Sequence, residues 1–444
     1  MARLLIHGLG ADSIAQLRTR HTVCWVADDS QADIVYSQIR DLCSIPPLGT
    51  DQMELQPVLR HVATKAHQIF ESYSRHHYLR RINGRPVQDY SYLMTAHAEW
   101  AYGLLCREQP DVVLFANIPH EGYDNVLLEV ANFLGIRTVM FFQVPFSPRH
   151  WILDGSKPVA ESLAPARATY EGALDDEYLH TFIRQLDGQG TYFYMKHIRP
   201  VAIPTAGEIA GAFLSGRLKQ ALAGTLAAAQ QAGYDRRLKR LVQSSPKCGA
   251  DQAYGYFPLH LQPELTTSAL GEGLYFNQVA AFRHFAAVCA DAGMPVIVKD
   301  NPKQNYSHRS QYFFDAMGSV SNAIYVSREA SSQQLVQHAS VLGTVSGTAG
   351  LEALRHGKPV VCYGDAWWRG LAGVHRPSAR AADVVGSVVD RDGVSRGLAQ
   401  LYGLSQPGCS DPDYVAAFQQ IPARNAQRMA DSVDSWLSTA GLYA

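Results

Sequence analysis

Apolar and polar positions alternate in blocks along the whole chain. Residues 3–8 (RLLIHG), 22–28 (TVCWVAD) and 32–37 (ADIVYS) are short apolar runs with polar segments between them. Such runs suit strands of a parallel sheet. A long helical zone is expected from about Asp51 to Glu108. The stretch PDVVLFANIPHEGYDNVLLEVANFLGIRTVMFFQVPF then reads as strand from Val112, loop, helix, Gly135 as the helix stop, and strand. That is one βαβ unit, and it closes a first α/β domain near residue 155. From about 160 to 245 the pattern is helical and rich in alanine and leucine, with no clear strand. Strand patterns return in AYGYFPLHLQPELTTS, PVIVKDNPKQ and AIYVS, and twice more in SVLGTVSGTAGLEALRHGKPVVCYGDAWW; the apolar helix YFNQVAAFRHFAAVCADAG lies between the first two.

The resulting division is 1–205 for an N-terminal Rossmann-like domain with helical insertions and 206–245 for a helical connection. A second Rossmann-like domain follows at 246–385, and the helices of 386–444 are expected to pack back on the first. A length of 444 residues agrees with more than one core. With 39 basic and 40 acidic residues the net charge is −1, which gives no reason to expect nucleic-acid binding. The seven cysteines are scattered and never form a C-x-x-C pair, so reduced thiols are expected rather than a disulfide framework or a zinc site. The first residues lack the apolar core of a secretion signal, and no window approaches the roughly 18 apolar residues of a membrane span. The expected location is the cytoplasm, with peripheral contact at the inner membrane left open.

Candidate chemistry gathers where strands end. After the strand SVLGTVS, residues 347–350 form a turn into the helical pattern LEALRH, which stops at Gly357 with Pro359 beyond it. A small-residue loop of this kind presents backbone N–H groups to an anion, and Ser346 and Thr348 add hydroxyls. It equally suits a tight packing turn. Glu352 has Ala349 where a capping box needs Ser or Thr, which leaves it a first-turn acid or an acceptor for ribose hydroxyls. The chain has no G-x-x-x-x-G-K-[ST] run, and GLGADS lacks the full dinucleotide fingerprint. His260, Gln262 and Glu264 follow another strand, where open α/β sheets hold their ligands. Glu264 there reads as a nucleophile, a base or a helix start. Lys299 ends an apolar run, a costly place for an ammonium unless it meets an anion or pairs with an acid such as Asp300. In the first domain His120, Glu121 and Asp124 lie at the equivalent strand end, as a proton-transfer group or as a structural loop.

Taken in order, PLHLQPELTTS, VIVKDNPKQ and VSGTAGLEALRHGKPVVCYGDAWW, with PHEGYDN and GIRTVMFF upstream, resemble the capsule polysaccharide biosynthesis proteins, a bacterial group that includes the retaining β-Kdo transferases. The resemblance is specific across about 250–370, looser across 110–150 and silent elsewhere. It implies an α/β, GT-B-like fold: two Rossmann-type domains whose parallel sheets face across a cleft, with added helices. It implies a glycosyltransferase of capsule or O-antigen polysaccharide (lipopolysaccharide) synthesis, with CMP-Kdo as the favoured donor and a saccharide or lipid-linked glycan as acceptor. Carried over, Ser346, Gly347, Thr348 and Glu352 contact the nucleotide, with His260 and Gln262 beside them. Lys299 and Asn301 meet the phosphate or sugar carboxylate. Glu264 matches the acidic residue implicated in catalysis, and a carboxylate nucleophile suits a retaining reaction. His120 or Glu121 is the acceptor base. Backbone N–H groups and cations stabilise such a donor without metal, so no cofactor is expected. The family often reads Lys-Glu-His-Pro where this chain has Lys299-Asp300-Asn301-Pro302, and Asn301 supplies no imidazolium charge. A UDP- or GDP-sugar transferase, a sugar-phosphate transferase and a non-catalytic assembly subunit are the alternatives.

Overall fold

A computed structural model describes residues 1–37, 52–79, 86–167, 176–190, 192, 204–249, 252–262, 264–271, 273 and 275–442. The chain forms two compact units, Met1–Thr181 with Leu398–Ala444, and Phe182–Gly397.

The first unit is built on β1 (Arg3–His7), β2 (Thr22–Ala27), β3 (Ile34–Val35), β4 (Val112–Phe115), β5 (Arg137–Gln143) and β6 (Arg149–Asp154). They lie in the order β6-β5-β4-β1-β2-β3, with the late strand Gln406–Pro407 added beside β6. β1 to β5 are mutually parallel, as the short apolar runs predicted. The expectation of wholly parallel sheets fails at the other edge, where β6 and Gln406–Pro407 run antiparallel. The cause is local. The buried Gln143 carboxamide donates to the carbonyls of Val144 (3.3 Å), Ser147 (2.9 Å) and Arg149 (2.8 Å), and so folds the chain straight back after β5. Trp151 Nε1 then donates to Leu401 O (2.7 Å), and the guanidinium of Arg149 bonds Ser405, which fixes the late strand. The helix Pro422–Thr439 inserts Met429, Ala430, Val433 and Leu437 into the core formed by Leu4, Ile6, Ile14, Leu17, Val112, Leu114 and Phe141. The helical zone expected from Asp51 comprises Gln52–Ala63, Ala66–Leu79 and Val87–Glu108; residues 38–51 and 80–85 lie outside the described residues.

The second unit carries β7 (Gly255–Pro258), β8 (Val296–Lys299), β9 (Ala323–Val326), β10 (Val341–Thr344), β11 (Val360–Cys362) and β12 (Val374–His375). All are parallel, in the order β12-β11-β10-β7-β8-β9. Numbered within the unit this is the doubly wound order 6-5-4-1-2-3, whose direction of winding reverses between β7 and β10. One face packs Phe257, Val298 and Val341 under Phe282 and Phe285 of the helix Gln278–Asp291. Crossover connections carry the other strands to both sides of β7. The boundaries fall at 181/182 and 397/398, where 205 and 385 were expected. The helices Ala206–Leu214 and Leu218–Ser244, expected as a connection, belong to the second unit. The buried Tyr234 donates to Asp300 Oδ2 at 2.8 Å, and Ser245 Oγ accepts from Tyr325 N at 2.9 Å. Cys24, Cys106, Cys248, Cys289, Cys362 and Cys409 are free thiols, and Cys43 lies outside the described residues. Among the described residues no helix is long and apolar enough to cross a membrane.

Candidate functional site

In an open, doubly wound sheet the loops on either side of the winding reversal part above the strand ends, and ligands bind in that crevice. In the second unit those loops are 259–264 after β7 and 345–348 after β10. They hold His260, Gln262 and Glu264 on one side and Ser346, Gly347 and Thr348 on the other.

The two loops are locked together. The Thr344 hydroxyl (2.9 Å) and the Val345 N–H (3.3 Å) both meet His260 Nε2, which fixes that nitrogen as an acceptor. Thr344 Oγ1 also accepts from Gly347 N at 3.1 Å, and Ser346 Oγ donates to Thr266 O at 2.6 Å. Burial, with the Arg309 charge nearby, pulls the His260 pKa down to about 4. His260 is therefore a neutral clamp that sets the spacing of the loops. Gln262 is also committed. Its side-chain oxygen accepts from Arg309 Nη1 (2.8 Å), and its backbone is gripped in both directions by the Gln304 carboxamide.

Glu264 stands at the N-terminal edge of the short helix Leu265–Ser268 in an extended conformation. Its backbone carbonyl accepts from Thr267 N (3.0 Å) and Ser268 N (2.9 Å), and its half-buried carboxylate accepts a long contact of 3.4 Å from Thr266 Oγ1. The carbonyl serves the fold, and the side chain makes no capping hydrogen bond to the helix. Pro263 lies outside the described residues.

After β8 the sequence places a cation and an anion side by side, and the structure sends them to different partners. Asp300, 3% exposed, accepts Arg309 Nη2 at 3.0 Å and the Tyr234 hydroxyl. Arg309, also buried, reaches Gln262 and the His260 carbonyl (3.1 Å) and lies over the Phe313 ring at 4.5 Å. Lys299 does not pair with Asp300. It is 6% exposed and donates to Ser332 Oγ at 2.7 Å; burial lowers its pKa against the opposing pull of Glu329 and Asp300. Among the described residues no carboxylate lies within 4.0 Å of its ammonium. Asn301 spends its Oδ1 on the Lys303 N–H at 2.9 Å.

Glu352 lies in the helix Ala349–Arg355, two turns long, so its backbone dipole is a small contribution beside the loops. Tyr192 donates to Glu352 Oε1 at 2.7 Å, and desolvation raises the carboxyl pKa in spite of that bond. Gly350 is required for packing: a Cβ there would stand 2.3 Å from the indole of Trp368. Gly357, at φ +73°, ends the helix as the sequence pattern predicted.

In the first unit the equivalent reversal lies between β1 and β4. His120 and Glu121 follow β4. Their N–H groups both donate to the buried Asp124 carboxylate at 2.8 Å, which makes Asp124 a loop anchor and not a proton carrier. His120 Nδ1 bonds the Ile118 carbonyl at 2.6 Å, so Nδ1 carries the proton and Nε2 is the basic nitrogen of the neutral ring. His7, at the end of β1, was not foreseen. It shares a 2.7 Å hydrogen bond with the Tyr123 hydroxyl, and burial lowers its pKa to about 4 although the nearby Glu121 charge opposes this.

Against the expectation that the chain lacks an Asp-x-Asp triplet, a spacing that can hold a metal, it carries two. In Asp390-Arg391-Asp392, Asp390 accepts the Asp392 N–H and bonds Arg396, each at 3.0 Å; in Asp411-Pro412-Asp413, Asp411 accepts the Asp413 N–H at 2.9 Å. Both are turn and cap arrangements. Among the described residues no three potential metal ligands gather.

The profile of the capsule polysaccharide biosynthesis protein family matches residues 277–381. The likeness read from the motifs holds over that part of the second unit, which contains Lys299, Asn301, Ser346, Gly347, Thr348 and Glu352. No protein of curated function matches the chain in sequence. Among solved structures, the β-Kdo 2,4 transferase of KpsC from Thermosulfurimonas dismutans is 13% identical, covering 65% of this chain and 78% of its own at a TM-score of 0.30. The 2,7 transferase of the same protein is 9% identical (68% and 80%, TM-score 0.30). The UDP-GlcNAc 2-epimerase of Neisseria meningitidis is 13% identical (98% and 99%, TM-score 0.24). The doubly wound assignment rests on the strand orders of this chain itself.

His260 and His308, both held at about 4 by burial from an ordinary 6.5, give the second unit an acid limit. Between those values the unfolded chain binds protons that the folded unit refuses, so stability falls as pH drops from about 6.5 to about 4. Glu352, raised by burial, acts in the opposite sense, while His284, His356 and His375, each lowered chiefly by burial, add to the loss. Urea unfolding across this range should show the loss, and His260→Gln should make the pH dependence shallower. A flat profile in the parent protein would refute the clamp's neutrality.

Proposed function

We propose that the protein is a nucleotide-sugar-dependent glycosyltransferase of bacterial capsule or O-antigen polysaccharide synthesis, with the donor seated at the winding reversal of the second unit. The observation that carries this reading is Lys299. A nearly buried ammonium that donates to a neutral hydroxyl, with no carboxylate within 4.0 Å among the described residues, gains from a bound anion. It stands on β8, in register with Pro258 of β7, the strand that leads into the loop of His260, Gln262 and Glu264. The donor phosphate is the anion that fits, and the family match over this segment supports a sugar donor.

In this reading Ser346, Gly347 and Thr348 receive the nucleotide and Glu352 its ribose. CMP-Kdo is the favoured donor. The Glu264 carboxylate attacks the anomeric carbon, CMP departs and a glycosyl ester remains. The acceptor hydroxyl, giving its proton to His120 or Glu121, then displaces Glu264 with net retention. The acceptor is a saccharide or lipid-linked glycan, no metal takes part, and the work is done in the cytoplasm or at the inner membrane. Asn301, uncharged and bound to the Lys303 N–H, favours a second reading in which the sugar is neutral and carried by UDP or GDP. Thermal stabilisation by CMP, UDP and GDP in turn separates the two.

Lys299→Met should weaken nucleotide binding by about tenfold or more while leaving the melting temperature equal or higher, because it removes a buried charge that has no ion-pair partner within 4.0 Å among the described residues. Unchanged binding would overturn the seat. Glu264→Gln should keep nucleotide binding and abolish transfer, and incubation of the parent protein with donor alone should add one sugar mass to the peptide containing Glu264. Full transfer by the variant would remove Glu264 from the chemistry.

A further inference from the structure

Among the described residues, the helices Ala206–Leu214 and Leu218–Ser244 form a hairpin whose first part packs chiefly on itself. Ala212 and Ala221 are buried, and a Cβ on Gly224 would meet Ile209 at 2.9 Å; attachment to the rest of the unit comes through Gln231, which accepts from Tyr306 N at 3.1 Å, Tyr234 and the residues that follow. Where solvent should favour polar groups, the hairpin shows Phe213 (45% exposed), Leu214 (90%), Leu222 (62%) and Leu226 (51%). Large apolar side chains grouped in this way mark an interaction surface.

The charges around them are of one sign. At 100° per residue Leu222, Leu226 and Ala229 share a face of the long helix with Lys219 before them and Arg236 and Arg240 after them, all exposed. Arg217 stands at the tip. The hairpin's acids lie off this face: Glu208 closes the capping box on Thr205, and Asp235 pairs with Arg328 at 3.0 Å. A cation-rimmed apolar ridge on a chain of net charge −1 is complementary to an anionic lipid surface. Self-association through the same face would set these cations against their own copies.

We propose that the hairpin 206–240 docks the protein peripherally on an anionic bilayer, with Phe213 and Leu214 entering the acyl boundary and Arg217 and Lys219 at the headgroups. This stands apart from the identity of donor and nucleotide, and its test needs no turnover. The full chain should co-sediment with vesicles of phosphatidylcholine and phosphatidylglycerol, weakly or not at all with phosphatidylcholine alone, and less at high salt. Phe213→Ser with Leu214→Ser should lower the partition coefficient by about tenfold with the melting temperature unchanged, because both side chains are exposed in the free protein. Arg217→Glu with Lys219→Glu should remove the preference for phosphatidylglycerol. Failure of the parent protein to bind these vesicles, binding that either double variant retains in full, or a concentration-dependent dimer lost in the Phe213/Leu214 variant would overturn the proposal, the last by giving the ridge to a second copy.

Discussion

The buried pair of Asp300 and Arg309 is the interaction on which the second unit's candidate site depends. An isolated buried charge is destabilising by several kcal/mol, so each member holds the other in place, and each uses its remaining hydrogen-bonding capacity on a neighbour. Arg309 takes the His260 carbonyl and the Gln262 side chain from the loop after β7; Asp300, at the end of β8, takes Tyr234 from the long helix. Two loops and a helix thus share one electrostatic centre. The effect is to hold still the surroundings of Glu264 and Lys299, the side chains proposed to act on the donor.

The two units apply one plan to different ends. In each, parallel strands wind outward from a central pair, and a histidine sits where the winding reverses: His260 after β7, His7 at the end of β1. Burial keeps both neutral, and both bond a hydroxyl, of Thr344 in one unit and Tyr123 in the other. The loop after β10 carries small residues and hydroxyls, suited to close approach by a phosphate. The loop after β4 carries His120 and Glu121, suited to proton transfer. The polarity of each loop, and not the sheet beneath it, distinguishes the roles proposed for them.

Much of this was legible in the sequence because it is local. Apolar runs of four to seven residues become β1, β2, β4, β5, β7, β8, β9, β10 and β11, and Gly357 ends its helix as the pattern said. What depends on distant partners was not legible. β6 pairs with β5 only because Gln143 folds the turn, and Gln406–Pro407 joins β6 across some 250 residues of chain. His260 and Gln262 were read as ligand contacts and Asp124 as part of a proton-transfer group or a structural loop, and all three hold loops together, which shows only once Thr344, Arg309 and the His120 backbone are in place. Arg309 carried no motif to mark it. Lys299 was the reverse case, since a cation closing an apolar strand signals an unmet charge in sequence and structure alike.

The central claim is that the second unit's winding reversal seats a nucleotide on Lys299. A crystal structure of the protein with CMP tests it most directly. The account predicts the nucleotide lying over the loops after β7 and β10, its phosphate against the Lys299 ammonium. A nucleotide bound in the first unit, or in the second with Lys299 still on Ser332 and no phosphate in reach, would contradict it.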